Sequence, residues 1–157
     1  MSIEIAIPGW KNLRLDTVLF DLNGTLACDG RIAASTRERL VALARHAAIY
    51  VMSADTHGTL ERETAGLPLH VQRVEPGPGA AQKVALLREL GVQSTVAVGN
   101  GHNDVEMLRA AALAIAILGP EGAAMQALLV ADVVFATIDD ALDSLLYPRR
   151  LVATLRG

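Results

Sequence analysis

Short apolar runs rich in β-branched residues, each about one strand long and each followed by a helix-length segment, set the possible folds of this chain. Thr17-Val18-Leu19-Phe20 is the first such run, and Ile49-Tyr50-Val51-Met52 and Thr95-Val96-Ala97-Val98 follow it. Further runs lie near 69–72, 113–117 and 132–135. Continuous rather than alternating apolar character fits strands buried on both faces. Helices are predicted between them, over about 36–47, 57–65, 80–90, 103–111 and 121–129, with another from about 138. Ser35 caps the first of these, with Glu38 completing a capping box, and Gly91 ends the third. Strands alternating with helices of this length imply right-handed βαβ units in a mostly parallel sheet, a three-layer α/β fold. Ahead of it, residues 3–7 and 13–15 flank Pro8-Gly9-Trp10-Lys11-Asn12 and read as a β-hairpin with Trp10 at its tip. With 157 residues and 52% apolar content, the chain reads as one domain over 1–157, of which 1–16 is the hairpin extension. Pro76-Gly77-Pro78-Gly79 is a loop inside that domain rather than a boundary.

Several functions are disfavoured by composition. Aromatics make up 3% of the chain, the net charge is -3 and the basic residues are scattered, so neither a stacking platform nor an electrostatic footprint for nucleic acid is present. Cys28 is the single cysteine, which excludes an internal disulfide and a multi-cysteine zinc site and fits a reducing compartment. Met1-Ser2-Ile3-Glu4-Ile5 lacks the basic-then-apolar order of a signal peptide, and the apolar stretch from Ala110 to Leu118 is too short to span a bilayer. The expected location is the cytoplasm, without a membrane partner.

The polar residues that end the strands share a chemistry. Asp21 closes the first run, Ser53 closes the second, and Gly99-Asn100-Gly101-His102-Asn103-Asp104 follows the third, while Lys83 begins a helix. In a parallel sheet the carboxyl ends of the strands lie on one edge, where ligands bind. Gly24 and Thr25 after Asp21 allow a tight turn with backbone N–H groups and a hydroxyl facing an anion. A carboxylate placed there can attack phosphorus, provided that a cation offsets the repulsion between two anions; a magnesium ion and a lysine would do so. Taken singly, a strand-end Asp also reads as a turn residue and a lone Lys as a solvated one.

Together, Phe20-Asp21-Leu22-Asn23-Gly24-Thr25-Leu26, Val51-Met52-Ser53, Lys83 and Val98-Gly99-Asn100-Gly101-His102-Asn103-Asp104 resemble the four ordered motifs of the haloacid dehalogenase superfamily. Ser53-Ala54-Asp55, and Gly99 to Asp104 followed by Met107-Leu108, are similar to elements of the phosphorylation domain of P-type ATPases. The resemblance implies a soluble, capless, Rossmann-like domain in which Asp21 is the nucleophile and forms an aspartyl-phosphate. It implies Thr25, Ser53 and Lys83 as phosphate-binding residues, with Lys83 also neutralising charge in the reaction. Magnesium would be held by Asp21, Asn23 through its backbone carbonyl, Asn100 and Asp104. The gaps between motifs are too short for a cap, so the site should be open, taking a large phosphorylated substrate or being closed by a neighbouring copy in a homo-oligomer, with Trp10 as a candidate contact.

Two positions depart from the family pattern. Asn23 stands where phosphatases of the superfamily carry a second Asp, their general acid and base, and loss of that role costs about 10²- to 10⁴-fold. Asn100 stands where a magnesium-binding Asp is usual and offers a carbonyl oxygen without charge. The expected activity is therefore slow magnesium-dependent phosphate hydrolysis. A catalytically weak module that binds a phosphorylated ligand or regulates a partner is the alternative, and a receiver-like phosphoacceptor is a third reading. His57 follows the Ser53–Asp55 element and His102 fills the variable slot of its motif, and neither belongs to the catalytic set.

Overall fold

The computed structural model describes residues 1–55 and 58–157. The alternation in the sequence becomes a six-stranded sheet in the order β5-β4-β3-β6-β7-β8, parallel throughout. Its strands are β3 (Thr17–Asp21), β4 (Ala48–Ser53), β5 (His70–Arg73), β6 (Thr95–Gly99), β7 (Leu113–Ile117) and β8 (Val133–Phe135). The helices are α1 (Ala34–Leu43), α2 (Leu60–Thr64), α3 (Gly79–Leu90), α4 (Val105–Ala110), α5 (Met125–Val130), α6 (Ile138–Leu146) and α7 (Arg149–Leu155). One turn of 3-10 helix, His102–Asp104, precedes α4.

The pleat of the strands divides the core in two. Val18, Phe20, Val96, Val98, Ile115 and Ile117 face one side, where Leu40, Leu142, Leu145 and Leu151 cover them. Leu19, Ala97 and Ala114 face the other and meet Leu87, Met107, Leu108 and Ala127. By the period of two along a strand, Asp21 leaves β3 on the Leu19 side, the side of α3. The central position of β3 in the sheet, with β4 and β6 on either hand, brings the loops after these three strands to one mouth.

The hairpin predicted before the main fold is present as β1 (Ile3–Ala6) and β2 (Asn12–Leu15), paired antiparallel. Its Ile3, Ile5, Leu13 and Leu15 are buried within the larger core cluster. Two local expectations change. α1 starts at Ala34 without a side-chain cap, so Ser35 lies inside the helix rather than at its N-cap, and the helix ends at Leu43 instead of reaching 47. Ser35 and Thr36 instead donate hydrogen bonds of 2.6 Å each to the carboxylate of Asp139 on α6. The helix expected from 57 begins at Leu60; His57 lies outside the described residues. No helix among the described residues is long and apolar enough to cross a membrane.

Candidate active site

Lys83 is the centre of the charged cluster. It sits in the first half of α3, 2% exposed, and donates to Asp21 Oδ1 at 2.9 Å and to Asp104 Oδ1 at 2.7 Å. Asn103 Oδ1 lies at 3.5 Å from the same ammonium. Burial opposes the charge on Lys83, but Asp21 and Asp104 more than offset it and raise its pKa. For Asp21 the balance is different. Burial, and after it the charge of Asp104, push its carboxyl up from 3.8 to about 6, against the pull of Lys83.

The turn after β3 packs closely against the loop after β6. Gly24 has φ +77, and its N–H donates to Ala27 O at 2.8 Å. A Cβ on Gly24 would lie 2.3 Å from Asn100 Nδ2, so that position has room for hydrogen alone. Thr25 is buried, and its hydroxyl lies between Asp21 Oδ2 at 3.4 Å and Asn100 Oδ1 at 3.3 Å. Neither distance is short, and Thr25 lies behind Asp21, on a cleft separate from the cavity that Asp21 and Ser53 share. Ser53 Oγ accepts from Asp55 N at 3.0 Å and from Asn23 Nδ2 at 3.5 Å, so its proton remains to be donated.

The sequence placed Asp104 among the metal ligands, and the structure gives its oxygens other work. Oδ1 accepts from Lys83, and Oδ2 accepts from the backbone N–H groups of Asn100 at 3.0 Å and Gly101 at 2.9 Å. The side chain is fully buried. Asp104 thus fixes the loop after β6 and aims Lys83. Gly99 is part of the same device, since a Cβ there would come within 2.6 Å of Asp104. Asn100 uses both ends of its amide: Oδ1 accepts from Thr25, and Nδ2 donates to Gly122 O at 3.0 Å. An Asp could not make the second bond.

A cavity of about 670 Å³ opens over this cluster, lined by Asp21, Asn23, Ser53, Lys83, Asn100 and Asn103 together with the 74–79 loop. The first turn of α3 enters it without a side-chain cap at Pro78, which leaves backbone N–H groups for an anion. The oxygens that can meet a metal ion here are those of Asp21, Asn23 and Asn100. All are hard donors, and Asn23 Oδ1 is buried with no hydrogen-bond partner among the described residues. The set fits a magnesium ion that completes its coordination with phosphate and water oxygens, although it supplies one carboxylate only. Among the described residues no cluster of three or more His, Cys, Asp or Glu side chains could hold a metal by itself.

Behind Thr25 lies a second, mostly apolar cleft of about 400 Å³, between residues 24–28 and the starts of α1 and α6. Its one acid, Asp139, is taken by Ser35, Thr36 and Arg39, so the reactive groups belong to the first cavity. Residues 28–31 form a tight turn, with Cys28 and Arg31 exchanging backbone hydrogen bonds of 3.0 Å and Asp29 at φ +50. That turn occupies the stretch between Leu26 and Met52 where a cap could stand, together with α1. Glu75, Asn103 and the partnership of Asp104 with Lys83 were not apparent from the sequence. Loop residues carry no periodic signal, and the pairing of Asp104 with Lys83 depends on the packing of α3 beside α4.

No family model matches the chain. It is 39% identical over 92 residues to the uncharacterised protein MJ0073 of Methanocaldococcus jannaschii, across 56% of this chain and 99% of that one. It is also 54% identical over 39 residues to the uncharacterised protein MJ0072 of the same organism, across 25% of this chain and 89% of that one. Among solved structures it is similar to 3-deoxy-D-manno-octulosonate 8-phosphate phosphatase from Moraxella catarrhalis, a complex with magnesium, phosphate and KDO, at TM-score 0.70 and 16% identity over 90% of this chain and 94% of that one. The cobalt-bound deoxy-D-mannose-octulosonate 8-phosphate phosphatase from Haemophilus influenzae matches at TM-score 0.72 and 16% identity, over 91% of this chain and 94% of that one. BT1666 from Bacteroides thetaiotaomicron, of the haloalkanoate superfamily of phosphatases, matches at TM-score 0.59 and 13% identity, over 88% of this chain and 96% of that one.

Proposed function

The chain belongs to the family of MJ0073 and has the haloacid dehalogenase fold, and from that premise we propose that it is a slow, magnesium-dependent phosphohydrolase acting through Asp21. The observation that carries this reading is the strand-end carboxylate of Asp21 held 2.9 Å from the buried Lys83, inside a cavity shared with Ser53. In the first step an Asp21 oxygen forms a bond to phosphorus while the bond to the leaving oxygen breaks. Lys83 stabilises the charge on Asp21 and on the transferring phosphoryl group, and the hydroxyl of Ser53 donates to its oxygens, while Thr25 supports Asp21 and Asn100 from behind. Magnesium, held by Asp21, Asn23 and Asn100, would supply further neutralisation of the phosphate.

The leaving oxygen must collect a proton, and Asn23 has none to give at neutral pH. That proton comes from solvent, and in the second step water attacks the aspartyl-phosphate without a side-chain base at this position, releasing phosphate and restoring Asp21. Because the second step has no side-chain base, the phosphoenzyme should accumulate with esters whose leaving group departs readily enough for the first step to outpace the second. The structures from Moraxella catarrhalis and Haemophilus influenzae, which hold magnesium and cobalt, support a divalent ion in this fold.

A phospho-ligand-binding module remains the second reading, favoured by Asn23 and Asn100 together: both keep shape and hydrogen bonding while removing charge. Purified protein with magnesium and a phosphomonoester panel separates the two. Phosphate release above an Asp21→Ala control, with a mass increase at Asp21, supports hydrolysis; ligand-induced thermal stabilisation without either supports binding alone. Asn23→Asp should then raise turnover by about 10²-fold or more.

A further inference from the structure

We propose that this site selects phosphomonoesters by the charge of their organic part, taking ammonium-bearing esters over neutral ones and neutral ones over carboxylate-bearing ones, with Glu75 as the selecting residue. The inference rests on the phosphate-site reading above and names the substrate class for it. Lys83 is the one cation among the residues that line the cavity, and its ammonium is committed to Asp21 at 2.9 Å and Asp104 at 2.7 Å. Nothing positive is left on the described wall to meet a second anionic group of a substrate. Arg73, the nearest basic residue in the chain before the loop, is taken by Asp55 at 2.8 Å and Glu61 at 3.1 Å.

Beyond the reacting cluster, Glu75 is the only charged side chain on that wall. Its carboxylate has no ion pair or side-chain hydrogen bond among the described residues, whereas its backbone is held firmly. Glu75 N donates to Gln82 Oε1 at 2.8 Å, and Gln82 Nε2 donates back to Glu75 O at 2.8 Å. Val74 N, one residue earlier, donates to Ser53 O at 2.8 Å. Pro76 after it restricts Glu75 to extended backbone. With two hydrogen bonds on its own main chain and one on that of Val74, Glu75 keeps its exposed carboxylate on the cavity wall, where it meets the organic part of an ester that leaves on this side. The structural neighbours from Moraxella catarrhalis and Haemophilus influenzae act on an octulosonate phosphate, a sugar acid. For such an ester Glu75 is a repulsive neighbour here.

Three two-carbon phosphomonoesters of similar size read the effect: phosphoethanolamine, ethyl phosphate and phosphoglycolate. The specificity constant should fall in that order for the wild-type protein with magnesium. One unit charge at contact distance in water changes it by about fivefold, so the ratio of the ammonium to the carboxylate ester should drop by roughly 5- to 30-fold in Glu75→Gln. In Glu75→Lys the order should invert, and added salt should weaken the preference in all proteins. If the esters bind without turnover, their affinities by calorimetry for the same three proteins give the same comparison. A ratio that stays the same across wild type, Glu75→Gln and Glu75→Lys overturns the inference and leaves the phosphate site standing. Failure of all three esters to bind or react overturns the phosphate-site reading, and this inference with it.

Discussion

Asp21 combines a buried position with a charge it needs, and its stability signature follows from that. Its pKa is about 6 in the folded chain against an ordinary 3.8. A carboxyl raised in this way favours folding while protonated; the contribution is complete below 3.8 and is lost as pH rises through about 6. Asp21→Asn cannot ionise, and Asp104 at 2.7 Å remains to hold Lys83. Without metal, the variant should match wild type near pH 4 and exceed its stability at pH 8 by on the order of 2–3 kcal/mol, as read from urea unfolding at both pH values. A gap that does not widen with pH would contradict burial as the dominant influence on Asp21. Asn100 makes an opposite case. Its Nδ2 bond to Gly122 O at 3.0 Å ties the loop after β6 to the loop after β7, and an Asp would set an anionic oxygen against that carbonyl. Asn100→Asp should therefore lose about 1–3 kcal/mol in the absence of metal. Magnesium should restore more of its melting temperature than it adds to wild type, a difference visible in parallel thermal melts.

At the scale of elements, strands were the most legible part of the sequence, because an apolar run between turn residues is a local signal that burial on both faces satisfies directly. The same logic located Asp21, Ser53 and the Gly99–Asp104 loop at one edge, since parallel strands admit no other arrangement of their carboxyl ends. Signals that depended on a distant partner misled. Ser35 and Glu38 have the spacing of a capping box, yet Asp139 on α6 takes the Ser35 hydroxyl, and α1 starts two residues earlier than expected, with Ala33 at its N-cap. Asp104 carried a motif resemblance to a metal ligand, while the fold uses it to fix Lys83 and two backbone amides. Glu63 on α2 shows the same dependence on tertiary partners: it accepts from Ile32 N at 2.9 Å and from Arg37 Nη2 at 2.8 Å, pinning the end of the 28–31 turn beside the apolar cleft. The Ile32 N–H bond, and beyond it Arg37, hold its pKa below the ordinary 4.5 despite burial. Its contribution to stability is present above 4.5 and fades as pH falls through the lowered value. Glu63→Gln should cost about 1 kcal/mol at neutral pH, with the difference from wild type closing in acid, as followed by chemical unfolding between pH 3 and pH 7.

For the molecule as a whole, the question is whether the N-terminal hairpin is an appendage or part of the cooperative unit. Ile3, Ile5, Leu13 and Leu15 bury one face of it in the same cluster as Leu113 and Leu151. Lys11 Nζ reaches Ala112 O at 2.6 Å, just before β7, and the N–H of Gly157 donates to Pro8 O at 2.9 Å. The hairpin is therefore tied at once to the residue before β7 and to Gly157 after α7. Its other face, with Glu4, Ala6, Asn12 and Arg14, stays exposed, as does the tip, where Trp10 is 38% exposed with Lys11 Nζ 4.2 Å from its ring. A two-stranded hairpin has little stability alone, so its order must come from this docking. Leu15 is completely buried, and Leu15→Ala should cost about 2–5 kcal/mol through lost burial and the cavity left behind. If the hairpin belongs to the cooperative unit, that loss shifts the midpoint of one unfolding transition seen alike by circular dichroism and by Trp10 fluorescence. Amides of β2 and β3 should then exchange with deuterium by the same global opening. An early Trp10 transition that leaves the sheet intact would instead make the hairpin a separately opening segment, and Leu15→Ala would shift that step alone.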